Sequence, residues 1–570
     1  MATTKSPAGR SRLTLLKASA AIIFGGSMAM TAVSQPPPIV GTATNSQHSF
    51  LTFPNYLANK ETPQTAQAYY AAVNPGGSKV DFRDWLVNAG FIRQRSDWRS
   101  TGQQIYTTVA GDYGPNKVNA FAHIIILNAA DLGFIRNQYI RCKPDCKTKY
   151  ASIYTYLENY PVPENAVGNI ALTQQAVNVA LERRAGRIAD VAFEWAPAAN
   201  GTSPTALFGQ LYSFVVHAYF DSYTPDQANR KCINGSPIYN PDGTQKIDEL
   251  LTWPNDQAFW DCNFKLARAL PPSPPDFLAP VPEIPVVSGD YFAPELDALG
   301  TKQHPGVCFI CHGGNVPGNV AWPTNGNVKE FRMLPADVGN AIFGVDDTGA
   351  PLVPGALGSS LTQAAQEVEL KKYNQTIVIT QGATPPKNAV FAPNGTIAGG
   401  NWTVPQSRDD QGTLRPSHGV EVIFGWYAGV AGDKSMSASV QNHDFVPVGW
   451  QSAPDLYLKV VAPSCRSCHM NREQSLDLGT LAQFDSNKGN VEQLVFQPEC
   501  DSNNHEVKGT VQVMPLAKLT WDRFWNGVDP ATKLAFDAAH SLAPSDPNSQ
   551  PYLLKQHFGY TATSYCAHRH

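Results

Sequence analysis

Two copies of one five-residue pattern, Cys308-Phe-Ile-Cys311-His312 and Cys465-Arg-Ser-Cys468-His469, constrain this chain more than anything else in it. Two thiols three residues apart fall on one face of a helical turn, and a histidine four residues after the first thiol emerges on nearly the same side. Such thiols can add to the two vinyl groups of one haem while the imidazole ligates its iron, and Cys-x-x-Cys-His is the sequence signature of that attachment. With 10 Cys and 13 His in 570 residues, residue frequencies alone give one such pattern about 0.004 times per chain, so two copies are not coincidence. A zinc site would need four closed ligands. A thioredoxin-like pair does not call for a His at a fixed place in both copies. The expected cofactors are therefore two c-type haems. Cys308, Cys311, Cys465 and Cys468 are the covalent anchors, and His312 and His469 the proximal ligands.

Haem attachment of this kind belongs outside the cytoplasm, and the N-terminus agrees. Lys5, Arg10 and Arg12 precede a small-residue, apolar stretch over 13–30, and Ala32-Val33-Ser34 offers a cleavage site. Residues 1–34 read as a signal peptide, without a twin-arginine pair because Ser11 separates Arg10 from Arg12. The stretch is broken by Lys17 and Gly25-Gly26 and falls short of the roughly 20 apolar residues of a span. No later segment is long and apolar enough either, so the mature chain is expected to be periplasmic or secreted, with no transmembrane segment. A formal net charge of −4 with 16% charged residues provides no basic field for nucleic acid.

The six cysteines outside the motifs are Cys142, Cys146, Cys232, Cys262, Cys500 and Cys566. In an oxidising compartment an even remainder favours disulfides, and the local choice among the possible connectivities is 142–146, 232–262 and 500–566.

The run Pro271-Pro272-Ser273-Pro274-Pro275, continued by Pro280, Pro282 and Pro285, cannot be helix interior. It predicts a linker over 271–290, between a haem-free N-terminal region of unassigned role over 35–270 and a dihaem region over 291–570. The first is expected to be mixed α/β. Residues 119–136 and 169–188 have helix-like composition, whereas Val191-Ala-Phe-Glu-Trp and the run 211–220 suit strands. His123 and His217, both in apolar runs, read as core histidines. The haem-bearing half is expected to be mainly α, with helices joined by long loops. Ser359-Ser360 cap a helix over 361–373, residues 382–406 are loop, and Thr520-Trp-Asp-Arg-Phe-Trp opens a helix. Asp346-Asp347 reads as a turn rather than a calcium loop.

By its two motifs, and by Met514-Pro515 followed by Trp521, Phe524 and Trp525, the chain from about residue 304 onward resembles the c-type cytochrome superfamily. Class I-like members place a Met on a loop after the haem motif and before a C-terminal helix. The resemblance makes Met514, 45 residues after His469, the candidate sixth ligand of the second haem. For the first haem, Met333, which follows His312 by 21 residues, His418 and His443 are weaker candidates, beside an open position. Met470 directly follows His469 and cannot reach the opposite face. The resemblance implies electron transfer with a redox partner protein or small-molecule donor or acceptor. The alternative is a haem-dependent oxidoreductase similar to dihaem cytochrome c peroxidases and rubber oxygenases, which also carry two such motifs. No acid or Gln is identifiable as a distal catalytic group.

Overall fold

The computed structural model describes short stretches between 73 and 120 and residues 121–128, 135–148, 151–160, 189–197, 207–216, 264–266, 308–312, 331–343, 362–408, 414–471 and 477–492; beyond those it describes 495, 520, 523–525 and 545–559. Among the described residues, the helix α1 (Phe82–Ala89) is followed by five long antiparallel strands: β1 (Ala122–Asn128), β2 (Ile135–Lys143), β3 (Ser152–Tyr160), β4 (Ala189–Pro197) and β5 (Leu207–Val216). They pair in chain order as a meander, which β6 (Phe264–Leu266) extends beside β5. A short strand from far along the chain, β7 (Ala341–Ile342), closes the other edge against β1, and the sheet has seven strands in all.

Where the helix-like composition of 119–136 falls on described residues the structure is strand instead: β1 takes 122–128 and β2 begins at Ile135. The Ala and Leu content of that range suits a helix, but Ile124-Ile125-Ile126 are branched residues that pack well on a pleated surface. The strand readings at 191–195 and at the start of 211–220 hold in β4 and β5. The second expected helix (169–188), His217 and the linker lie outside the described residues, as do Asp346-Asp347 and the pairings 232–262 and 500–566. Cys142 and Cys146 are joined by a disulfide.

Both faces of the sheet are covered. On one, His123, Tyr139 and Tyr156 form a cross-strand stack, with ring centroids 4.1 and 4.8 Å apart, against which Trp85 of α1 and Phe91 pack. His123 is buried and bonded to Asn137, so it is a core histidine as expected. Stacked aromatic pairs of this kind add about 0.5–1.5 kcal/mol each to their burial.

On the other face lies the long helix α3 (Gln363–Thr380), which follows the four-residue α2 (Phe309–His312). Its N-cap is Thr362, whose hydroxyl accepts from the Ala365 N–H at 3.2 Å, a few residues beyond the expected serines. The helix is buried nearly all round although much of it is polar, and three side-chain amides resolve that conflict. Gln366 bonds the N–H and C=O of Ile125 in β1 at 2.6 and 2.9 Å. Asn374 does the same for Ala336 (2.9 and 3.0 Å) and Gln375 for Ile397 (2.8 Å each). A buried polar group must be bonded or it costs its desolvation. Here each amide satisfies itself and a backbone pair, so α3 joins the sheet to residues 336 and 397.

Three further helices bear on the site: α4 (His418–Trp426), α5 (Arg466–His469) and α6 (Leu481–Ser486). Thr480 and Gln483 form a capping box at the start of α6. The last helix, α7 (Gln550–Phe558), is capped by Ser549 and ends at Gly559, whose φ of 69° is the left-handed stop that glycine permits. The stretch 382–406 is mostly irregular, as expected, with one two-residue hairpin. Thr520 and Arg523, Phe524 and Trp525 are helical. Among the described residues no helix is long and apolar enough to cross a membrane.

Candidate functional site

The sheet face that carries α3 also carries the first cysteine motif. Phe193 of β4 meets the His312 ring, with centroids 4.5 Å apart. At Gly209 of β5 the chain after the motif comes so close that a Cβ would overlap the Phe331 carbonyl oxygen. The Phe331 N–H donates to the Gly209 carbonyl at 3.3 Å. Next in the chain, Arg332 clasps His312 twice. Its N–H donates to the His312 carbonyl at 2.9 Å, and its own carbonyl accepts from His312 Nδ1 at 3.0 Å.

That second bond fixes the imidazole's chemistry. A carbonyl can only accept, so Nδ1 carries the hydrogen and the lone pair of the neutral ring resides on Nε2. The ring keeps some contact with solvent, yet burial, with the Arg136 charge adding to it against the opposing carbonyl bond, lowers its pKa to about 4. A neutral imidazole with one nitrogen anchored on a carbonyl and the other carrying its lone pair is the form that ligates a metal.

The second motif reaches the same place from the other end of the chain. A π-helical turn, Tyr457–Val461, and the turn Ala462–Ser464 lead into Cys465 and α5. The two residues between its cysteines are both bonded to the segment that follows the first motif. Arg466 Nε and Nη2 donate to the two carboxylate oxygens of Asp337, each at 2.9 Å. Ser467 Oγ lies 3.0 Å from Asn340 Nδ2, which also donates to the Ala462 carbonyl at 2.7 Å and to Asp337. The guanidinium lies over the Trp426 and Tyr457 rings, 5.3 and 5.7 Å from their centroids.

This framework brings α2 against α5, with Cys311 Sγ 3.3 Å from Cys468 Sγ. Cys311 belongs to a second apolar cluster with Trp450, Tyr457, Val460, Val461, Phe484 and Phe524, against which Cys465 and Cys468 pack. Burial raises the Cys465 thiol to about 12, so it is held protonated.

No family model, curated protein or solved structure matches this chain. The site is therefore judged on its own residues.

The ligand candidates fall in different surroundings. Met333 is buried in the apolar cluster that includes α3 and the sheet, and its carbonyl accepts from Asn471 Nδ2 at 2.8 Å. It adjoins Arg332, whose carbonyl lies behind the His312 imidazole. His443 is about half exposed beside Asp444, with 3.4 Å between Nε2 and Oδ1. Met514 lies outside the described residues. His418, weighed in the sequence for the first haem, lies beside the second motif instead. It is buried at the start of α4, and its Nδ1 donates to the Asp477 carbonyl at 2.7 Å. Its Nε2 accepts from the Tyr457 hydroxyl at 3.3 Å. Burial, opposed by the Asp477 bond and reinforced by the Arg466 and His469 charges, lowers its pKa to about 4.

The sequence assigns no role to Arg466 and Ser467, the two residues between the cysteines. Arg466 is the one fully buried residue of its motif, and the chain offers no way to name its partner Asp337, 129 residues away, without the fold.

Proposed function

We propose that this chain is an exported dihaem c-type cytochrome that passes electrons between its two haems and a redox partner. The observation that carries the reading is the 3.3 Å approach of Cys311 Sγ to Cys468 Sγ. Each sulfur is one of the two attachment points of its motif, so the two groups held there would meet edge to edge, the arrangement an electron relay needs. The donor set fits: each motif pairs two thiols on one helical turn with an adjacent histidine, and His312 is already held as the tautomer that presents Nε2.

When bound, the haems supply reversible one-electron chemistry at iron, tuned by axial ligand, hydrogen bonding and burial. The protein's part is to hold and orient. The Arg332 carbonyl fixes the His312 ring, Phe193 covers it, and the sheet supports the whole of the first motif. Asp337 and Asn340 hold α5 through Arg466 and Ser467, so neither motif moves without the other. The apolar cluster buries Cys311 and packs against the half-buried Cys465 and Cys468. Met333, rooted on the side of the Arg332 carbonyl, packs rather than ligates in this reading. On this reading the region over 35–270 is a scaffold for the first motif. The Cys142–Cys146 disulfide is in keeping with an oxidising, periplasmic or secreted location.

The test is to denature the matured protein and weigh it. Two haems should remain attached, and Cys308→Ala with Cys311→Ala should remove one and leave the other. The intact protein should show a split Soret circular dichroism couplet from two neighbouring haems, which the single-haem variant loses, and no peroxide turnover. Haem that leaves on denaturation, or a Soret signal that is the sum of two independent haems, would overturn the reading. Turnover of peroxide would move it to the enzyme class.

A further inference from the structure

We infer that His418 is the second axial ligand of the haem held by Cys465 and Cys468, so that this haem is ligated by two histidines, His418 and His469. The inference rests on the dihaem reading and assigns a residue within it.

Three observations point the same way. The first is the state of the ring. His418 repeats the arrangement of His312, with Nδ1–H on a backbone carbonyl, that of Asp477 at 2.7 Å, and the lone pair on Nε2. Metal-ligating histidines nearly always have their other nitrogen anchored in this way. The Tyr457 hydroxyl that Nε2 now meets is at 3.3 Å, long for an O–H donor and readily exchanged for a stronger bond.

The second is position. Arg466 and His469 are three residues apart on α5 and so share a face of it. Arg466 lies over the Tyr457 ring, 5.7 Å from its centroid, and Tyr457 is the residue His418 Nε2 touches. His418 is thus linked through Tyr457 to the side of α5 that Arg466 occupies. From the other side, a Cβ on Gly419 would lie 2.9 Å from Asn471 Oδ1, so the first turn of α4 abuts the chain just after the motif.

The third is rigidity. His418 opens a helix whose Val420, Val422, Ile423, Phe424 and Trp426 are all buried, and a Cβ on Gly479 would sit 3.2 Å from its own Cβ. Its backbone is held from both directions, as a ligand position must be. A loop methionine such as Met514 would have to displace this ring to reach the same face.

The experiment reads ligation directly in the full-length holoprotein. The parent should show a low-spin ferric signal from the second haem, and the weak far-red sulfur-to-iron absorption band should be absent at that haem. His418→Ala should turn one of the two haems high-spin while the haem count stays at two per chain, and added imidazole should restore the low-spin signal. His418→Gln, which keeps a donor for the Asp477 carbonyl, should do the same if the alanine variant folds poorly. His418→Met should lift the potential of that haem alone and create the far-red band. Spectra and potentials unchanged in His418→Ala or His418→Gln overturn the assignment. So does a Met514→Ala variant that turns the second haem high-spin. A parent that carries fewer than two haems overturns the dihaem reading itself, a result the haem count separates from a wrong ligand.

Discussion

Asp337 and Arg466 form a two-armed ion pair, 2.9 Å on each arm, between the segment that follows the first cysteine motif and the interior of the second. Both side chains are almost wholly buried, at 4% and 1% exposure, so the pair is shielded from salt and water. Removing one partner leaves a charge with no counterpart in a dry site, which typically costs about 3–5 kcal/mol, whereas replacing both with apolar groups of similar volume is often neutral. Asp337→Ala should therefore destabilise the holoprotein by about that amount in denaturant melts. Asp337→Leu combined with Arg466→Met should recover most of it. A single variant as stable as the parent would show that the pair does not hold the motifs together.

Gly209 makes a second long-range demand, on backbone rather than charge. A Cβ there would overlap the Phe331 carbonyl oxygen, in a segment strapped to His312 through Arg332. Overpacking costs about 1–3 kcal/mol where side chains can give way, and a backbone atom cannot give way so easily. Gly209→Ala should melt at lower denaturant than the parent, and should load haem at the first motif less fully than at the second. Equal loading at both motifs would mean that the sheet does not support the first.

How much of this was legible in the sequence depends on how far apart the cooperating residues are. The motifs were legible because five consecutive residues fix their own geometry; α3 was legible in place but not in detail, since its cap is Thr362 rather than Ser359-Ser360 and it runs on to Thr380. The strand β1 was misread as helix, since the Ala and Leu residues of 119–136 pulled one way and Ile124-Ile125-Ile126 the other, and the strand partner that decided the matter is a tertiary fact. The amides of Gln366, Asn374 and Gln375 look like an ordinary polar helix face until the backbones they bond are known. His418 was visible as a candidate for the first haem, but its bond to Tyr457 beside the second motif was not, because position in the chain says nothing of which motif a helix start will face.

Asp433 gives the fold an acid limb. Although partial burial opposes it, the hydroxyls of Ser435 and Ser437 and the N–H groups of Ser435 and Gly429 all donate to its carboxylate and hold its pKa well below the usual carboxylate range. A carboxylate with a depressed folded pKa stabilises the fold above its unfolded pKa, and the contribution is lost as pH falls through the range below it. Stability of the parent should thus decline below about pH 4 more steeply than that of Asp433→Asn, which lacks this linkage. Parallel pH profiles for the two proteins would remove Asp433 from the account.

The contact between Cys311 and Cys468 also predicts what the chain does before haem is attached. Their sulfurs are 3.3 Å apart, and a disulfide requires only that they close to about 2.05 Å with suitable backbone spacing. In the full-length chain made without haem, oxidised glutathione should link them. Each thiol gives up its proton, the new bond joins Cys311 Sγ to Cys468 Sγ, and the two electrons reduce the glutathione disulfide to two glutathione thiols. Cys465 should take little part, since burial raises its thiol to about 12 and the thiolate is the attacking species. Non-reducing peptide mapping should find the peptide containing Cys311 joined to that containing Cys468, and Cys311→Ser should abolish the link. In the holoprotein both sulfurs are tied up as thioethers, so the same treatment should give no link. Oxidation that instead joins Cys308 to Cys311 and Cys465 to Cys468 would show that the two motifs do not meet in the haem-free chain, and that their approach depends on the haems themselves.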